Sequence, residues 1–174
     1  MDYQKHAMLL EVIRSLGRRN CSAGKTNVQK ALAIMNETVQ KTPFGFVLYK
    51  HGPYSFDVQA TMEQMKTYRA IVSQPNVDGF GINICEGPGS KFVDKNADLP
   101  IETKQAIEKV CEFVCSRSVF ELERLATAAW IRKREGLKDS FEVAARLNQL
   151  KPHVSIDDAT TADEELIGFF APAL

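Results

Sequence analysis

Long apolar runs are missing from this chain. No stretch approaches the ~18 consecutive apolar residues of a membrane span, and Met1-Asp2-Tyr3-Gln4-Lys5-His6 leads into an amphipathic segment. Neither a membrane anchor nor an export signal is expected, and the expected location is the cytoplasm. Net charge is missing too, with 22 basic and 22 acidic residues. Histidine is scarce: His6, His51 and His153 lie far apart, and no HxxxH, CxxC or CxxH spacing would place two ligands on one ion. No metal and no cofactor are therefore expected. Cys21, Cys85, Cys111 and Cys115 are all read as reduced. Cys111 and Cys115 stand four apart on an expected helix, where a bridge is strained, and their neighbours Val110, Phe113 and Val114 mark buried thiols. Low-complexity tracts are absent, and 44% hydrophobic against 25% charged residues is an ordinary globular balance, which excludes a disordered chain.

What is present is a series of punctuated helix signals. A chain of 174 residues makes one compact domain, or one with an appended piece, and buries roughly 70% of its unfolded surface. The apolar spacing predicts a first helix over about 3–17 with Gly17 as its stop, and a second from an N-cap at Thr26 with Val28, Ala31, Leu32 and Met35 inward. Pro43 to Tyr49 reads as a short strand or extended connector. Ser55 caps a third helix with Asp57 in its first turn and an inward stripe of Val58, Thr61, Met62, Met65, Tyr68 and Val72, ended by Pro75-Asn76. A β-hairpin is expected between Gly79 and Val93, its arms Gly79–Cys85 and Lys91–Val93 joined by Glu86-Gly87-Pro88-Gly89-Ser90.

The remainder is expected to be helical: Pro100 to Cys115, then a helix with a Ser118/Glu121 capping box that carries Trp130 and leaves through Arg132-Lys133-Arg134 before Gly136. Ser140 is expected to cap a further helix broken by Pro152, and Ser155 a last acidic one over about 156–169. The expected fold class is α+β, mostly α. A winged-helix-like N-terminal core with a small β-hairpin wing, residues 1–96, precedes a helical C-terminal half, residues 97–174, packed on it.

No catalytic constellation emerges. Gly24-Lys25-Thr26 invites a phosphate-loop reading, but that loop needs a glycine where Arg19 stands and a strand before it, so Gly24 opens the turn into the second helix and Lys25 is exposed. Glu121/Glu123 and Asp157/Asp158 sit at helix starts and read as dipole partners and solubilising charge. In Tyr49-Lys50-His51-Gly52-Pro53-Tyr54-Ser55, Gly52 supplies unusual backbone angles, Pro53 fixes the exit, and His51 and Tyr54 are expected to hydrogen-bond within the corner.

Lys25-Thr26-Asn27-Val28-Gln29-Lys30-Ala31-Leu32 and that Gly-Pro corner together resemble the K-x-x-x-Q-K helix and GP corner of a bacterial and phage family of small winged-helix-like proteins, distantly similar to the Panacea antitoxin domain. Phe120 to Ala128 and Leu150 to Ser155 resemble the C-terminal half of the same group. The resemblance implies a helix-turn-helix-like core and a role in toxin–antitoxin or mobile-element biology.

Residues 1–50 carry eight basic against three acidic residues, and the last 24 carry one against five. The opposite ends could attract each other or a second copy of the chain, as in a homodimer. Two functions compete, both non-enzymatic. The first is a regulatory protein that binds a protein partner. It is favoured by overall neutrality, by the resemblance, and by Asp57 and Glu63, which would face phosphates badly. The second is a winged-helix DNA-binding regulator, in which Arg18, Arg19, Lys25 and Lys30 meet phosphates. Against it, the third helix offers only Lys66 and Arg69, both late, whereas recognition helices read bases near their start. Lys50, His51 and Tyr54 are contact candidates for either partner.

Overall fold

The computed structural model describes residues 2–76, 81–115 and 117–171. It is a mostly helical α+β protein with two small antiparallel hairpins. In order come α1 (Tyr3–Arg18), α2 (Lys25–Thr38), β1 (Val47–Tyr49), β2 (Gly52–Tyr54), α3 (Phe56–Thr67), β3 (Ile71–Pro75), β4 (Ile82–Glu86), α4 (Ser90–Asn96), α5 (Ile101–Val114) and α6 (Val119–Trp130). A π-helical turn, Ile131–Glu135, then leads to α7 (Ser140–Leu150) and α8 (Ile156–Phe170). Among the described residues no helix is long and apolar enough to cross a membrane.

Helix α2 forms the centre, packed against α1, α5 and α6, and its Val28, Leu32 and Ile34 are fully buried. Because this helix is surrounded on several sides, its Gln29, Lys30, Asn36 and Glu37 are buried as well, and such groups need hydrogen-bond partners. Asn36 accepts from the Thr42 backbone amide at 2.9 Å, and Glu37 is held by Arg134 at 3.0 Å. Gln29 and Lys30, in the same helix, reach the β1–β2 corner. The caps at the two ends of the C-terminal half follow the sequence: Ser118 and Glu121 form a reciprocal capping box on α6, and the Ser155 hydroxyl accepts from the Asp158 amide on α8.

Several expectations are corrected. The hairpin near the middle of the chain pairs β3 with β4, from Ile71↔Glu86 to Pro75↔Ile82, so its arms lie earlier than expected and Lys91–Val93 belongs to α4. Gly79 and Phe80, expected in the first arm, lie outside the described residues. Gly87 and Gly89 are used for close approach rather than for a hairpin loop: a Cβ on Gly87 would stand 2.3 Å from the Arg69 carbonyl oxygen, and one on Gly89 2.1 Å from that of Tyr68. The third helix stops at Thr67, not Pro75, because Arg69 adopts φ 59° and the Ala70 amide closes back on the Met65 carbonyl; Ile71 and Val72 then start a strand.

Smaller corrections concern caps. Asn20 at φ 57°, rather than Gly17, turns the chain after α1, with its amide on the Gly17 carbonyl. Gly24 rather than Thr26 is the N-cap of α2, and Asp139 rather than Ser140 that of α7. Cysteine chemistry is corrected too. Cys21 and Cys115, 94 residues apart, have Cα atoms 5.6 Å apart and are joined as a disulfide, because α5 packs along α1 and its end meets the turn after α1. Cys111 is fully buried, as expected, and burial pushes its thiol up to about 11.

Candidate functional site

The site is the β1–β2 corner and what lies beneath it. Of the segment Pro43–Tyr49, expected as a short strand or connector, Val47–Tyr49 is the strand and pairs with Gly52–Tyr54, with Leu48 opposite Pro53, and Gly52 takes φ 84°. A Cβ there would stand 2.7 Å from the Thr127 hydroxyl and 3.4 Å from the Glu123 carbonyl oxygen of α6, so glycine is needed both for the backbone angle and for the approach of α6.

The K-x-x-x-Q-K helix and the Gly-Pro corner form one clamp. The Gln29 side-chain amide accepts from the Ser55 backbone N–H at 3.0 Å and donates to the Ser55 carbonyl at 2.8 Å, as a neighbouring strand would. The Lys30 ammonium, one residue on, donates to the His51 and Pro53 carbonyls at 2.5 and 2.9 Å. From the other side the Lys151 ammonium donates to the Lys50 carbonyl at 2.9 Å and pairs with the buried Glu123 carboxylate at 2.5 Å. Burial pushes the Lys30 amine down to about 8, a shift that the Glu123 charge opposes and Lys151 reinforces. An uncharged amine still keeps two N–H donors, one for each carbonyl it holds.

Glu123 and Lys151 are the residues that sequence reasoning missed. Glu123 is 5% exposed and serves as the buried counter-charge, so its reading as a solubilising helix-start residue is corrected; Glu121 keeps the capping role. The signal was its place in α6, between Leu122 and Ala126 on a stripe of apolar residues. His51 and Tyr54 do not hydrogen-bond within the corner. The His51 ring is exposed with Nδ1 3.5 Å from Glu123, and the Tyr54 hydroxyl donates to Gln59 of α3.

The outer face of the corner is aromatic. Tyr49, Tyr54 and Phe56 contact one another with ring centroids 5.2–5.9 Å apart, and Tyr49 and Phe56 remain 60% and 61% exposed. Lys25 joins this face: it is exposed and donates to Gln59 at 2.9 Å, the same amide that Tyr54 reaches.

Of the remaining candidates, Arg18 is bound to Glu11 at 2.7 Å and to Glu108 at 2.5 Å, and Arg19 to Glu108 at 2.5 Å and to the Ser15 hydroxyl at 2.8 Å. Lys66 pairs with Glu63 at 3.1 Å, and the Arg69 carbonyl receives the Gly89 amide at the turn after α3. Lys30 is buried. The structure thus brings Lys25, Lys30, Lys50, His51 and Tyr54 together around the corner and leaves Arg18, Arg19 and Arg69 in other contacts. Compared with known families and curated proteins, the chain matches no family model and no curated sequence.

Proposed function

We propose that this chain is a non-enzymatic regulatory protein that binds a protein partner through the outer face of the β1–β2 corner, in the toxin–antitoxin or phage-defence setting that its motifs imply. The observation that carries this reading is the pair of exposed rings, Tyr49 and Phe56, set on a backbone that three side chains beneath it, Gln29, Lys30 and Lys151, hold in place. Large rings on a preorganised backbone are what protein interfaces use as anchors, since little freedom remains to be lost on binding.

The alternative, a winged-helix DNA-binding regulator, is supported by three helices, with the β1–β2 hairpin between the second and third, followed by the β3–β4 hairpin. Against it, Lys30 is inside the clamp and Arg18 and Arg19 already face carboxylates, which leaves Lys25 of the four expected phosphate contacts. Duplex binding that releases counterions requires many such contacts.

The test is a titration of labelled duplex at low and moderate salt, set beside affinity capture from the native host. Weak duplex binding that vanishes at moderate salt, together with a salt-tolerant captured protein, is expected. Tight, sequence-selective binding to an operator near the chain's own gene would overturn the reading in favour of DNA.

A further inference from the structure

Beside the aromatic face lies a groove of about 680 Å³ between the start of α2, the β3–β4 hairpin and the start of α6. Its charged lining among the described residues is of one sign: Lys25, Lys66 and Arg117. Lys66 and Arg117 each have a carboxylate outside the groove, Glu63 and Glu165, whereas Lys25 is bound only to the Gln59 amide and pairs with no carboxylate among the described residues. Ile82 and Val119 line the same groove and are 61% and 49% exposed. A lysine with no carboxylate partner among the described residues, next to exposed aliphatic side chains, fits a segment that offers both a carboxylate and an apolar group.

We propose that this groove receives an extended acidic and apolar segment of the partner protein, with an aspartate or glutamate on Lys25 and an aliphatic side chain over Ile82 and Val119. The inference rests on the protein-binding reading above and names the chemistry of the partner. A single nucleic-acid strand fits less well. Backbone binding of a strand needs a track of cations, whereas Lys66 and Arg117 already pair with Glu63 and Glu165 and leave Lys25.

The measurement uses the whole chain and fluorescein-labelled peptides followed by anisotropy: one alternating glutamate and leucine, one with lysine for glutamate, one with serine for leucine, and a thymidine oligonucleotide as a fourth probe. The glutamate–leucine peptide is expected to bind at least about tenfold more tightly than the other three, a difference of about 1.4 kcal/mol. Lys25→Glu and Ile82→Asp, both at exposed positions, are expected to remove that preference with circular dichroism and melting unchanged. Equal binding of glutamate and lysine peptides, tighter binding of the oligonucleotide, or wild-type affinity in Lys25→Glu would overturn the proposal. Concentration-dependent self-association abolished by Lys25→Glu would also overturn it and assign the groove to a second copy. If the peptides fail while capture of a host protein still depends on Tyr49 and Phe56, the groove proposal falls and the protein-binding reading stands.

Discussion

Residues 49–56 have two sides of opposite chemistry. Beneath, their carbonyls and amides are held by Lys30, Gln29 and Lys151, with the Glu123 carboxylate buried among them. Above, Tyr49, Tyr54 and Phe56 contact mainly one another and solvent. Buried polar groups lose much when one partner is removed, because the rest are left desolvated and unpaired. Exposed rings lose little in the free protein. The underside should therefore carry stability and the outer face binding, and substitutions on the two sides should separate these properties.

The largest effect is expected from Glu123→Ala, which leaves Lys30 and Lys151 buried without their counter-charge and should cost about 3–5 kcal/mol in a denaturant melt. A loss below about 1 kcal/mol would show that the cluster is wetter than its burial indicates. Away from both sides, Cys21→Ser in the oxidised protein should cost about 2–4 kcal/mol, because the bridge closes a long loop in the unfolded chain. Under full reduction the variant and the parent should melt together. Gly52→Ala should cost about 1–3 kcal/mol through its positive φ and the approach of α6, while His51→Ala, at an exposed ring, should stay within about 0.5 kcal/mol.

The clamp also predicts a pH signature. The Lys30 amine is lowered from its ordinary 10.5 to about 8, so between these values the unfolded chain binds more protons and stability should rise with pH. Below about 8 the folded amine is protonated as well and the full cost of its buried charge is present. Thermal midpoints followed across this window should climb in the parent and climb less in Lys30→Met, whose own midpoint is lower throughout for want of the two donors. Equal slopes would contradict the assignment.

How much of this was legible in the sequence depended on the range of the signal. Ser55, Ser118 and Ser155 are caps made with residues three positions on, and local spacing was enough to place them. The Gly-Pro corner was legible as a corner, since Gly-Pro demands it. What it was for was not, because its partners come from α2, α6 and Lys151, up to 101 residues away. Glu123 escapes local spacing for the same reason: a carboxylate near a helix start looks like a dipole partner, and the lysine that meets it comes from the end of α7. Gly87 and Gly89 suggested a loop between strands, but the carbonyls of Tyr68 and Arg69 that require them lie in another turn. The Cys21–Cys115 bridge depends on the packing of α1 along α5, which no cysteine spacing encodes.

The smallest expected effect on stability belongs to the outer face, and it carries the central claim. Tyr49→Ser combined with Phe56→Ser, each at a side chain about 60% exposed, should leave the denaturant midpoint within about 0.5 kcal/mol of the parent. The decisive measurement is capture of the native-host partner by this double variant and by the parent, at moderate salt and equal loading. The parent is expected to retain a specific protein and the folded double variant to lose it. Retention of that protein by the double variant would contradict the assignment of the corner's outer face as the binding surface.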